Sequence, residues 1–125
     1  MNARLVYLVA IVLIVAIGAQ ARAADQTLRL AVGQSASVEL EENPSTGYGW
    51  AVDAKASFRL PLVRITDRGF SEREGGKRLV GAPGVHRWDI QALSAGTANV
   101  VFIYRRPWER KHVRSHEVAV EAAAP

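Results

Sequence analysis

From residue 25 onward, apolar and polar positions alternate in short runs that end at Gly, Pro, Asn or Ser. The run from Thr27 to Val32 leads into Gly33-Gln34-Ser35. Ser37-Val38-Glu39-Leu40-Glu41 alternates strictly and stops at Asn43-Pro44. Tyr48, Trp50 and Val52 share one face of the next run. Phe58 to Thr66 is apolar-rich but holds Pro61, which predicts an edge strand, a bulge or a short turn. Val85 to Leu93 places Trp88, Ile90 and Ala92 on one face. Thr97 to Arg105 carries the strongest strand signal, with Ala98, Val100, Phe102 and Tyr104 on one side and Val101 and Ile103 on the other. His116, Val118 and Val120 mark a last strand, after which residues 121–125 are expected to fray. The period is two throughout, and no helical period lasts ten residues. The pattern predicts an all-β fold, an immunoglobulin-like antiparallel β-sandwich of about seven strands.

The first two dozen residues follow a different rule. Met1-Asn2-Ala3-Arg4 is short and basic, and Leu5 to Ala19 then runs without a charge. Ala19-Gln20-Ala21 and Ala21-Arg22-Ala23 both offer the small-x-small pattern of a signal-peptidase site. Fifteen apolar residues fall short of the roughly 20 that a bilayer span requires. The expectation is a cleaved signal peptide, residues 1–23, ahead of one domain, residues 24–125. The alternative is an uncleaved anchor. A cleaved signal implies an exported protein, periplasmic or secreted, that keeps no membrane contact.

Composition narrows the function. Sixteen Lys and Arg stand against twelve Asp and Glu, and Arg4 and Arg22 leave with the signal, so the mature excess is two. That is too little concentrated charge to expect nucleic acid as a partner. The chain has no cysteine, which excludes disulfides, thiol nucleophiles and zinc–thiolate sites. Its serines lie outside any Gly-x-Ser-x-Gly elbow, and Ser45 in Pro44-Ser45-Thr46-Gly47 reads as turn chemistry. Gly75-Gly76-Lys77-Arg78 lacks the spacing and the hydroxyl of a phosphate loop and reads as a flexible connection. His112 and His116 would stand roughly 13 Å apart on a strand, and even with His86 no carboxylate cluster completes a metal shell. No catalytic residue, metal or cofactor is expected, and the protein is not expected to be an enzyme.

Three loops break the strand pattern with residues that are restricted in backbone or costly to expose. They are Asn43-Pro44-Ser45-Thr46-Gly47-Tyr48, Gly81-Ala82-Pro83-Gly84 and Arg106-Pro107-Trp108. Each alone reads as a turn. In this order they resemble the chagasin-type inhibitors of papain-like cysteine peptidases, whose pattern is Asn-Pro-Thr-Thr-Gly-Tyr/Phe, then Gly-x-x-Gly, then Arg-Pro-Trp. The first loop departs from that pattern only at Ser45. The resemblance spans nearly all of residues 25–122. It implies a monomer that occludes the cleft of a papain-like, cathepsin L-like peptidase, reversibly and without covalent chemistry. In that arrangement Asn43 to Tyr48 form a wedge over the catalytic cysteine, Gly81 to Gly84 line one side, and Trp108 with Arg106 packs on the other. The strand order supports the gathering, because alternate loops of an antiparallel sandwich emerge at one end.

A second reading rests on the basic run Arg105 to Arg114, with Trp108 as a stacking platform. It makes the protein an exported binding module for another envelope protein, a glycan or an acidic polymer. Among the tryptophans, Trp50 and Trp88 sit in alternating strands and are expected in the core. Trp108 follows Pro107, which ends the ladder, and is expected to be a binding anchor.

Overall fold

A computed structural model of the protein describes residues 23–72 and 83–125. Seven strands follow one another as β1 (Gln26–Ala31), β2 (Ser35–Glu42), β3 (Gly49–Val52), β4 (Val63–Glu72), β5 (Gly84–Ala92), β6 (Gly96–Arg105) and β7 (Arg114–Ala123). They form two sheets, in the orders β1-β7-β6-β3 and β2-β5-β4. The expected sandwich is therefore present. The proposed leader, through residue 22, lies outside the described residues.

The faces read from the alternation are the faces that meet. Val38 on β2, Trp88 and Ile90 on β5, Ala98, Val100 and Phe102 on β6, and Val118 and Val120 on β7 build one buried cluster. Leu28, Leu30, Leu40, Trp50 and Val52 pack against it, partly buried. With no disulfide available, this interdigitated layer and the strand ladders hold the domain together.

Of the options expected around Pro61 the short turn is the one present, and two further details differ from the pattern-based expectation. Pro61 sits in a single 3-10 turn, Leu60–Leu62, so the apolar stretch from Phe58 divides into a turn followed by β4. β1 pairs with β7 in parallel, from Gln26 opposite Val118 to Ala31 opposite Ala123, whereas the other pairings are antiparallel. That pairing corrects the frayed tail: residues 121–123 belong to β7, and Val32 N–H donates to the Ala123 carbonyl at 2.8 Å. A partner strand satisfies backbone groups that the sequence alone leaves to water.

The register places the loops. Glu42 and Glu72 both lie opposite Gly84, Gly49 lies opposite Arg105, and Tyr104 lies opposite Arg114. Thus β2, β4 and β6 end, and β3, β5 and β7 begin, at the same end of the sandwich. The β2–β3 and β6–β7 connections emerge there together, beside the end of β4 and the start of β5.

Candidate functional site

The β2–β3 connection is built to be stiff. Asn43 caps a single 3-10 turn, Pro44–Thr46, and its Oδ1 accepts from Ser45 N–H at 3.2 Å and from the Ser45 hydroxyl at 2.6 Å. The Thr46 hydroxyl donates to the Asn43 carbonyl at 2.7 Å and accepts from Tyr48 N–H at 3.2 Å. Pro44 enters the turn with its φ already set. Gly47 leaves it at φ +81°, a left-handed conformation that costs other residues roughly 1–2 kcal/mol. The Asn-Pro-Ser-Thr-Gly order is thus a complete local hydrogen-bonding program. Both hydroxyls donate within the loop.

The β6–β7 connection leans on the first loop. Arg106 Nε donates to the Thr46 carbonyl at 3.1 Å, and Arg106 Nη1 reaches Glu109 Oε1 at 3.2 Å. Its guanidinium carbon stands 4.4 Å from the Tyr48 ring centroid, a cation–π distance. Trp108 is 72% exposed, yet it has a seat. A Cβ on Gly47 would lie 2.7 Å from Trp108 Cη2, so the bare glycine is the floor on which the indole rests. Arg106 and Trp108 therefore lock two loops into one surface.

A prediction follows for Gly47→Ala. The methyl meets only the far end of an exposed ring, so the fold survives with a loss of roughly 1–2 kcal/mol from the left-handed backbone. The indole must move off its seat, so the peptidase inhibition that the loop resemblance implies weakens. Melting and inhibition measured on one preparation check this, and an unchanged inhibition constant refutes it.

Of the second loop, Gly81 and Ala82 lie outside the described residues. Pro83 is exposed, and Gly84 is buried as the first residue of β5. A Cβ on Gly84 would collide with the Ser71 carbonyl oxygen and come within 2.5 Å of Phe70 Cζ. Gly84 thus serves the β4–β5 contact directly, bringing the loop's base tight against β4.

Beneath the loops runs an aromatic stack. Tyr48 lies 5.4 Å from Tyr104, and Tyr104 lies 4.9 Å from Trp50. Arg114 covers Tyr104 at 5.0 Å. The Tyr104 hydroxyl accepts from Asn43 N–H at 3.3 Å, and the Trp50 indole donates to the Glu41 carbonyl at 2.8 Å. Beside the stack, Glu42 is buried and bonds both Trp50 N–H and His86, whose other ring nitrogen meets Asp67. Burial pushes the Asp67 carboxyl up, but hydrogen bonds from His86 and Gly69 N–H, with the His86 charge, hold it below its ordinary 3.8. A β-bulge between Asp67 and Gly69 turns this carboxylate toward the imidazole.

This is a preorganised edge that bonds its loop hydroxyls internally and holds Trp108 exposed, a form suited to gripping another protein. The pattern that defines the family described as chagasin family peptidase inhibitor I42 matches residues 29–121. The chain belongs to the chagasin family. Chagasin of Trypanosoma cruzi is 31% identical over 84 residues, covering 66% of this chain and 74% of its own length. The solution structure of amebosin superposes with a TM-score of 0.63 at 26% identity, over 80% of this chain and 90% of that one. PbICP-C, solved in complex with falcipain-2, shares the fold with a TM-score of 0.55 at 19% identity, over 84% of this chain and 95% of that one.

For this chagasin-family chain, the structure brings together Asn43, Pro44, Ser45, Thr46, Gly47, Tyr48, Arg106, Pro107 and Trp108, with Pro83 and Gly84 at the same end. Reading the loops alone missed Glu42, His86, Asp67, Tyr104 and Arg114, which support them. A signal for two of these was available. Glu42 continues the inward face of Val38 and Leu40, and His86 continues that of Trp88 and Ile90. An ionisable residue that prolongs a buried face needs a partner.

Proposed function

We propose that this protein is a reversible, non-covalent, competitive inhibitor of papain-like cysteine peptidases, cathepsin L-like enzymes among them. It acts as an exported monomer and catalyses no reaction itself. The observation that carries the reading is the cross-loop lock: Trp108, largely exposed, rests on Gly47 while Arg106 is bonded to the Thr46 carbonyl. A large aromatic held in water on a rigid seat is prepared for a partner.

The mechanism follows from stiffness. Residues 43–48 enter the cleft as a wedge above the catalytic thiolate and exclude substrate. Their hydroxyls are bonded within the loop, so little conformational freedom is lost on docking. A 3-10 turn is not an extended strand, so its peptide bonds do not lie in the geometry that a papain-like site cleaves. Trp108 packs against one wall of the cleft, and the Gly81–Gly84 loop lies along the other.

Several arginines of the basic run are engaged within the protein. Arg105 and Arg106 bond Glu109, Arg106 also bonds Thr46, and Arg114 covers Trp50 and Tyr104. That weakens the polymer-binding alternative.

Titrating papain and a cathepsin L-like peptidase with the protein tests the proposal. The expected outcome is complete inhibition, relieved by excess substrate and by dilution, persisting in added salt, with serine peptidases unaffected. Full peptidase activity at micromolar protein overturns it. Binding that collapses with salt supports the polymer reading instead.

A further inference from the structure

We propose that Glu42, His86 and Asp67 form a positioning brace that closes the neck of the first loop only while His86 carries both ring protons, making inhibition pH-dependent. The proposal rests on the inhibitory reading of the loops. Its basis is geometric. Glu42 is the last residue of β2 and Trp50 the second of β3, so the pair flanks the loop. Glu42 Oε1 accepts from Trp50 N–H at 2.8 Å, tying the two ends together across residues 43–49. Gly49 makes room, since a Cβ there would press to 3.3 Å from the same oxygen.

Glu42 is only 6% exposed, and its charge needs compensation at that depth. The compensation is His86. Its Nδ1 lies 3.1 and 3.0 Å from the two Glu42 oxygens, and its Nε2 lies 2.5 Å from Asp67 Oδ1. The ring stacks on Trp88 with centroids 3.9 Å apart and planes 1° from parallel. Ionised carboxylates only accept hydrogen bonds, so both ring nitrogens must donate, and the imidazole that makes both contacts is the cation.

Among the described residues, the charged and titratable groups around the ring come from four strands. Glu42 on β2 and Asp67 on β4 are the charges bonded to it, and β3 contributes the Trp50 N–H to the same carboxylate. On β6 the Tyr104 hydroxyl is turned to Asn43, and on β7 Arg114 lies over Trp50 and Tyr104.

A neutral ring donates to one carboxylate and turns a lone pair toward the other. Glu42 then lacks a counter-charge in a buried site, and the neck loosens. The brace is intact while His86 carries both ring protons and is lost once the ring is neutral. On the acid side it fails when Asp67 takes up a proton, below its ordinary 3.8.

The test compares wild type, His86→Gln and Asp67→Asn against papain at about pH 5.5 and about pH 8.5, on either side of the histidine range. Dividing each variant's inhibition constant by the wild-type value cancels the peptidase's own pH dependence. For His86→Gln the ratio is expected to be about ten at the lower pH and to approach one at the higher. An equal ratio at both shows a merely structural role and overturns the brace. Asp67 is exposed, so Asp67→Asn folds; it should move the loss of inhibition to lower pH, and an unmoved profile counts against the proposal.

Hydrogen exchange at the Trp50 amide reads the neck without any peptidase. Its protection factor should fall about tenfold between the two pH values in wild type and stay level in His86→Gln. A level wild-type value defeats the brace. A wild-type amide that responds while papain stays uninhibited keeps the switch at the neck and defeats the inhibitory reading.

Discussion

Replacing Trp108 with Ala weakens inhibition by about 2–4 kcal/mol, roughly 30- to 1,000-fold in the inhibition constant, and leaves the melting temperature nearly unchanged. The side chain is 72% exposed in the free protein, so the fold has little burial to lose. A Trp offers on the order of 200 Å² of surface, and covering the exposed part at about 25 cal/mol per Å² gives at most about 3–4 kcal/mol. The seat on Gly47 and the lock through Arg106 fix the indole beforehand, so little rotamer entropy offsets that gain. Thermal melts and peptidase titrations of the one variant decide the matter. A Trp108→Ala protein that melts early but, while folded, inhibits normally would place this tryptophan in the fold and not in the interface.

Trp88→Ala has the opposite signature. Trp88 is 2% exposed and lies between the His86 ring at 3.9 Å and the Phe102 ring at 4.8 Å. Removing the indole leaves a cavity where the two sheets meet and costs about 3–5 kcal/mol of stability. For a domain of about 100 residues the melting temperature falls by more than about 10 °C. Measured well below that temperature, inhibition declines less than in Trp108→Ala, because the loop lock does not involve Trp88. A melt unchanged from wild type would remove Trp88 from the core.

The two tryptophans differ in a way the alternation exposes. Trp88 keeps step with Ile90 and Ala92 on one face, and those positions are buried. Trp108 comes after Pro107, outside any ladder, and the structure leaves it in water. Trp50 shares the alternation but is only partly buried, because β3 is a short strand at the edge of its sheet and its ring is partly given over to the aromatic stack.

Local order determined a good deal about this protein by itself. Period-two patterning set the strands and their inward faces, because one face of each strand must leave water. The capped turn at 43–47 was also legible, since its hydrogen bonds join residues two or three apart. Tertiary structure alone decided what depends on chains meeting from far along the sequence. The parallel partnership of β1 with β7 turned an expected loose tail into strand. Arg106, expected to pack beside Trp108 against a partner, is bonded to Thr46 sixty positions away. The glycine at 84 answers to Ser71 and Phe70 across a hairpin. Glu42, His86 and Asp67 come from three strands and acquire a shared role only once the sheet aligns them. A residue's own preferences fix its face and its turn, but a hydrogen-bond partner is chosen by register and twist, which belong to the assembled sheets.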